Sequence, residues 1–74
     1  MTLTVHTRVY IDMTSRDVIK TLTAAGFVKV GQKGNHVQFK HPQRKGRVTV
    51  PHPKPDLPIG TIVSIEQQSG VKLR

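Results

Sequence analysis

The residues best equipped for chemistry are four histidines and a run of lysines and arginines, and His36 stands out because it opens the alternating segment His36-Val37-Gln38-Phe39-Lys40. An imidazole can take up a proton near neutral pH and give it back. RNA carries its own nucleophile, the 2′-hydroxyl, so an imidazole beside a ribose can serve as base for that proton or as acid toward the leaving 5′-oxygen. Lys33, Lys40 and Arg47 are the cations expected to hold phosphate or offset the charge that builds on phosphorus in the transition state. Asn35, Gln38, Arg44 and Lys45 complete the expected RNA-binding set, and Gly34 shapes the turn that presents His36.

The remaining histidines read differently. His41 precedes Pro42 and His52 lies between Pro51 and Pro53, positions that suit structural or RNA-contacting roles better than proton transfer, and His6 belongs to the N-terminal prefix. The spacing of His36, His41 and His52 matches no usual zinc pattern, and the chain has no cysteine, so disulfides, thiolate metal sites and a cysteine nucleophile are excluded. Four acidic residues, none near the basic strands, equip the chain poorly for two-metal phosphoryl chemistry. Gly31 and Gly34 are followed by no phosphate-loop or dinucleotide pattern, and no cofactor is expected.

Charge is the strongest bulk signal. Twelve Lys and Arg against four Asp and Glu give a net charge of +8. Between Val18 and Pro55 there is no acid, while Lys20, Lys29, Lys33, Lys40, Arg44, Lys45, Arg47 and Lys54 all fall there. Such a continuous positive field draws in polyanions and releases their counterions on binding, so a nucleic acid is the expected partner, and an acidic protein masking the same surface is compatible with it. The bases do not line one face of a long amphipathic helix, as a membrane-surface role would ask. No apolar run approaches the ~20 residues of a membrane helix, and the N-terminus lacks a signal-peptide pattern, so a soluble, cytoplasmic protein is expected.

The elements that must position these groups can be read from periodicity. The chain is short enough for one domain with a thin core. Met13-Thr14-Ser15 looks like a second natural start, so residues 1–12 read as an N-terminal extension or cloning-derived prefix; the alternation of Leu3, Val5, Val9 and Ile11 with polar residues makes an added edge strand the alternative, and residues 13–74 form the domain. A first helix is capped by Thr14 or Ser15, has Asp17 in its first turn and carries Val18, Ile19, Leu22 and Ala25 on one stripe, ending at Gly26. Strands follow at 27–30, 36–40 and 47–50, joined by turns at 31–35 and 41–46 short enough for an antiparallel meander. A proline-rich connector leads to a second helix, capped by Asp56, with Pro58 in its first turn, an apolar stripe of Ile59, Ile62 and Ile65, and Gly70 at its end; Val71 and Leu73 then return to the sheet. The expected architecture is α+β, in the order α-β-β-β-α.

Strand parity then assigns the faces. Val37, Phe39, Val48 and Val50 must face the helices, which leaves His36, Gln38, Lys40, Arg47 and Thr49 together on an open basic face, provided no bulge interrupts the register near His36.

The segments Met13-Thr14-Ser15-Arg16-Asp17-Val18-Ile19, Gly26-Phe27, Gln32-Lys33-Gly34-Asn35-His36, Lys40-His41-Pro42, Val48-Thr49-Val50-Pro51-His52 and Asp56 through Ile65 resemble, in order and spacing, the HicA toxin family. The resemblance covers Met13 to Val71 and implies a fold similar to double-stranded-RNA-binding domains. It also implies metal-independent cleavage of mRNA that blocks translation, with His36 as the catalytic histidine, and a HicB-type antitoxin that covers the His36 face. Asn35 stands where the family usually has serine, and Val37 where a second histidine often follows. Two other readings of the basic α-β-β-β-α chain are a double-stranded-RNA-binding module without chemistry and a ribosome-associated structural protein.

Overall fold

The computed structural model describes residues 13–74. Its elements are α1 (Ser15–Ala24), β1 (Val28–Lys33), β2 (His36–Lys40), β3 (Val48–Pro51) and α2 (Ile59–Ser69), with the strands in one antiparallel sheet of order β1-β2-β3. This is the expected α-β-β-β-α order, consistent with the fold of double-stranded-RNA-binding domains. The strand or extension considered within residues 1–12 lies outside the described residues.

α1 begins with a capping box. Thr14 Oγ1 accepts the Asp17 N–H at 3.0 Å, and the Asp17 carboxylate accepts the Thr14 N–H in return. The buried stripe is Ser15, Val18 and Leu22, spaced i, i+3, i+7. Ala25, expected on that stripe, is exposed because it is already the C-cap residue. Gly26 follows at φ +101°, a conformation that L side chains rarely adopt.

β1 departs from expectation. It starts at Val28 and continues through Gln32 and Lys33, so the five-residue turn shrinks to Gly34-Asn35, with Gly34 at φ +57°. A bulge between Lys29 and Gly31 supplies the extra residue. The helix–sheet contacts centre on β3, and β1 overhangs them, exposed on both faces. Nothing therefore demands alternation in its sequence. β2 and β3 obey parity: Val37, Phe39, Val48 and Val50 join Val18, Leu22, Phe27, Leu57, Ile62 and Ile65 in the core.

β3 runs from Val48 to Pro51 instead of 47–50, leaving Arg47 just outside it. Proline is tolerated because β3 is an edge strand and the N position of Pro51 turns away from β2. The alternation of an antiparallel ladder gives Thr49 the same outward direction, and its N–H donates to Gln68 Oε1 of α2 at 3.1 Å.

The connector lies along the start of α1. Ser15 N–H donates to the Lys54 carbonyl at 2.9 Å, and Leu57 N–H donates to the Met13 carbonyl at 3.0 Å. This second bond accompanies the burial of Leu57, and it delays α2, whose N-cap is Pro58 with no side-chain cap; Asp56 stays outside the helix. Ile59, the first residue of α2, is 57% exposed, so the buried stripe is Ile62, Ile65 and Ser69 rather than one that includes Ile59. Gly70 ends α2 at φ +74°, and Val71 and Leu73 pack against the core.

Candidate functional site

The face opposite the helices is ordered by register. At the hairpin end His36 lies between Lys33 of β1 and Pro51 of β3; at the next level Gln38 lies between Gly31 and Thr49; Lys40 pairs with Val28 beyond that. The bulge falls in β1, and the β2–β3 register is continuous, so the parity that sends His36 and Lys40 outward holds. The face has no carboxylate among these residues, so no local acid offsets its cations.

Spacing separates the cations into two groups. Lys33 is directly opposite His36. Lys40 is four residues along β2, about 13 Å at the usual rise per strand residue, too far for both to act on one phosphate. Arg47 starts near the Lys40 level but donates from Nη1 to Gln38 Oε1 at 2.7 Å, which draws its guanidinium to within about 7 Å of the His36 level along the strand. Arg44 and Lys45 are exposed in the β2–β3 loop, at the other end of β2 from the turn carrying Asn35. Arg44 lies against the end of α2, where a Cβ built on Gly70 would come within 2.7 Å of its Nη1. A guanidinium there complements the helix dipole. Asn35 is exposed in the turn, and its carbonyl accepts the His52 N–H at 2.7 Å.

The other two described histidines are committed to the fold. His41 Nδ1 accepts the Gln43 N–H at 3.0 Å, so Nε2 must carry the proton that meets the Ala25 carbonyl at 3.1 Å. The His41 ring also packs edge-on against Phe27, with centroids 5.1 Å apart. His52 Nδ1 lies 2.6 Å from Ser15 Oγ. Among the described residues, no three of His, Cys, Asp and Glu converge on a position that could hold a metal ion. Sequence reasoning missed Pro51 as the neighbour of His36 and missed the Ser15–His52 contact. The first could have been read by carrying the β3 alternation one residue further; the second joins residues 37 apart and left no local signal.

Concavities lie off this face, among them one of about 580 Å³ lined by Glu66, Gly70, Val71, Lys72 and Arg74. One of about 470 Å³ is lined by Thr14, Ser15, His52 and Lys54 among others, and one of about 490 Å³ by Ile19, Thr23, Phe27 and neighbouring residues. His36 lines none of these and is exposed, so it meets its partner on an open surface. No described helix is long and apolar enough to cross a membrane.

The fold and face define a class: a small basic α+β domain with one helix-covered sheet face and one open cationic face. Comparison with family models places it further. The model of the HicA toxin of bacterial toxin–antitoxin systems matches residues 15–71, and the chain belongs to that family. It is accordingly a toxin of a system whose other component is an antitoxin. No curated protein matches the chain.

Proposed function

We propose that this toxin is a metal-independent endoribonuclease that cuts mRNA and so blocks translation, with His36 as its general acid/base. The observation that carries this reading is an exposed imidazole at one end of an open, acid-free cationic face, directly opposite Lys33. His36 takes the proton of a ribose 2′-hydroxyl. The 2′-oxygen bonds to phosphorus as the bond to the 5′-oxygen breaks, the leaving oxygen takes a proton from solvent water, and the His36 imidazolium returns its proton to solvent. The products are a 2′,3′-cyclic phosphate and a 5′-hydroxyl, so the nucleophile comes from the substrate. Lys33 shares a register position with His36, and its ammonium supplies positive charge at the reacting phosphate. Lys40, Arg47, Gln38 and Asn35 hold the neighbouring nucleotides, with Lys45 at the far end of the track; Arg44, expected with them, is turned to the end of α2 and joins RNA binding only from the margin of the face. Residues 13–74 are the RNA-binding and cleaving unit, and a HicB-type antitoxin silences it by covering the His36 face.

The test is cleavage of a defined RNA by the wild type and by His36→Ala, with EDTA present and a DNA strand of the same sequence alongside. Cleavage of RNA alone, and only by the wild type, supports the proposal. Salt-sensitive RNA binding by both proteins without cleavage points instead to the non-catalytic double-stranded-RNA-binding module, which the element order also allows.

A further inference from the structure

His36 is exposed, so the backbone that carries it must fix its place. On the β3 side that backbone has an unusual support. Pro51, the direct partner of His36, turns its N position away from β2, so the two residues share no ladder bond at this level, and β3 ends there. One residue later the His52 N–H donates to the carbonyl of Asn35, the residue immediately before His36, at 2.7 Å. This bond is the last rung between the chain around β3 and the hairpin that presents His36.

The ring of His52 is fastened elsewhere. Its Nδ1 lies 2.6 Å from Ser15 Oγ. Ser15 is 1% exposed and is the first residue of α1. Its Oγ also accepts the Lys54 N–H at 2.8 Å, and its own N–H donates to the Lys54 carbonyl at 2.9 Å. A buried hydroxyl held this way is a fixed post. The line of contacts therefore runs from the capped start of α1, through Ser15 and His52, to Asn35 and so to His36.

We propose that His52 is a positioning residue for the reaction: its ring, anchored on Ser15, holds its backbone N–H against Asn35 and so sets where His36 stands relative to Pro51 and Lys33. The kinetic part of this proposal rests on the reading of His36 as the proton-handling group. The positional part does not. Any non-proline residue keeps an N–H at position 52, so it is the anchor that a side-chain change removes.

The experiment compares the wild type with His52→Ala, His52→Asn and His52→Gln by NMR and by cleavage kinetics. Asparagine can place a polar atom near the Nδ1 position, whereas glutamine places one near Nε2. In His52→Ala the residue-52 amide should exchange with solvent about tenfold faster, and the cross-strand backbone contact between His36 Hα and Pro51 Hα should weaken. Its kcat should fall on the order of tenfold with KM within about twofold, the pattern of a misplaced reacting group. His52→Asn should recover most of both losses and His52→Gln little. A folded His52→Ala with unchanged His36–Pro51 contacts and unchanged kcat overturns the proposal. If His52→Ala does not fold, equal contacts and equal kcat in the asparagine and glutamine variants overturn it. Should the wild type cut no RNA, the ribonuclease reading falls, while the NMR comparison still decides whether His52 places His36.

Discussion

Arg47 reaches across from just before β3 to donate from Nη1 to Gln38 Oε1, at 2.7 Å, on the open face of the sheet. The bond holds a guanidinium over the middle of the strand that begins with His36. Arg47→Ala should weaken RNA binding and lower the slope of log affinity against log salt by about 0.7 to 0.9, the share of one phosphate contact. RNA binding titrated at several salt concentrations checks it. A variant with unchanged affinity and slope would show that RNA does not cross this face.

Lys33 and Lys40 should separate kinetically. Lys33 shares a register position with His36, and Lys40 stands about 13 Å further along the strand. Lys33→Ala should lower kcat by about a hundredfold, the scale of losing one transition-state electrostatic contact. Lys40→Ala should mainly raise KM. Steady-state cleavage of one short RNA by both variants measures the split.

Two turn glycines should differ in their tolerance of a side chain. At Gly34, φ is +57° and nothing lies within 4 Å of an added Cβ, so Gly34→Ala should cost about 1–2 kcal/mol, the penalty of the left-handed conformation. At Gly26, φ is +101°, and the added Cβ would come within 2.8 Å of His41 Nε2, whose ring is held by Ala25, Gln43 and Phe27. Gly26→Ala should therefore be the more destabilising of the two, as read by denaturant unfolding of both variants.

Glu66 makes stability depend on acid. The Leu73 N–H, then the Arg74 side chain and the Arg74 N–H, hold its carboxyl below the usual carboxylate range. A carboxyl lowered in the folded state contributes stability that is fully present above its unfolded value and lost as pH falls through the folded one. Thermal melts across the acidic range should show the wild type losing Tm on acidification. Glu66→Gln should start lower at neutral pH and lose less, because its stability no longer depends on that ionisation.

The sequence was most legible where burial is one-sided. Val37 and Phe39, like Val48 and Val50, must face the helices, so the outward direction of His36 and Lys40 could be derived from parity. β1 could not be bounded that way, because Val28 to Lys33 are open on both faces and the bulge breaks their register. The start of α2 was misread because Asp56 has the chemistry of a cap, yet its neighbour Leu57 is buried and tied to Met13 before the helix begins. The candidate site divides along the same line. Its cationic face follows from local alternation, whereas the Ser15–His52 anchor depends on two distant segments meeting, which no local pattern encodes.

The two sides of the sheet are not equivalent as places for another chain to attach. At the outer margin of β3 one outward donor is already taken by Gln68 and the next is missing at Pro51, so a strand arriving there would find no ladder to join. Among the described residues β1 is the other edge strand, and its margin carries a bulge together with Lys29 and Lys33. Among the described residues, then, the two margins differ in kind: the β3 margin has lost its ladder donors, and a strand approaching the β1 margin meets positive charge.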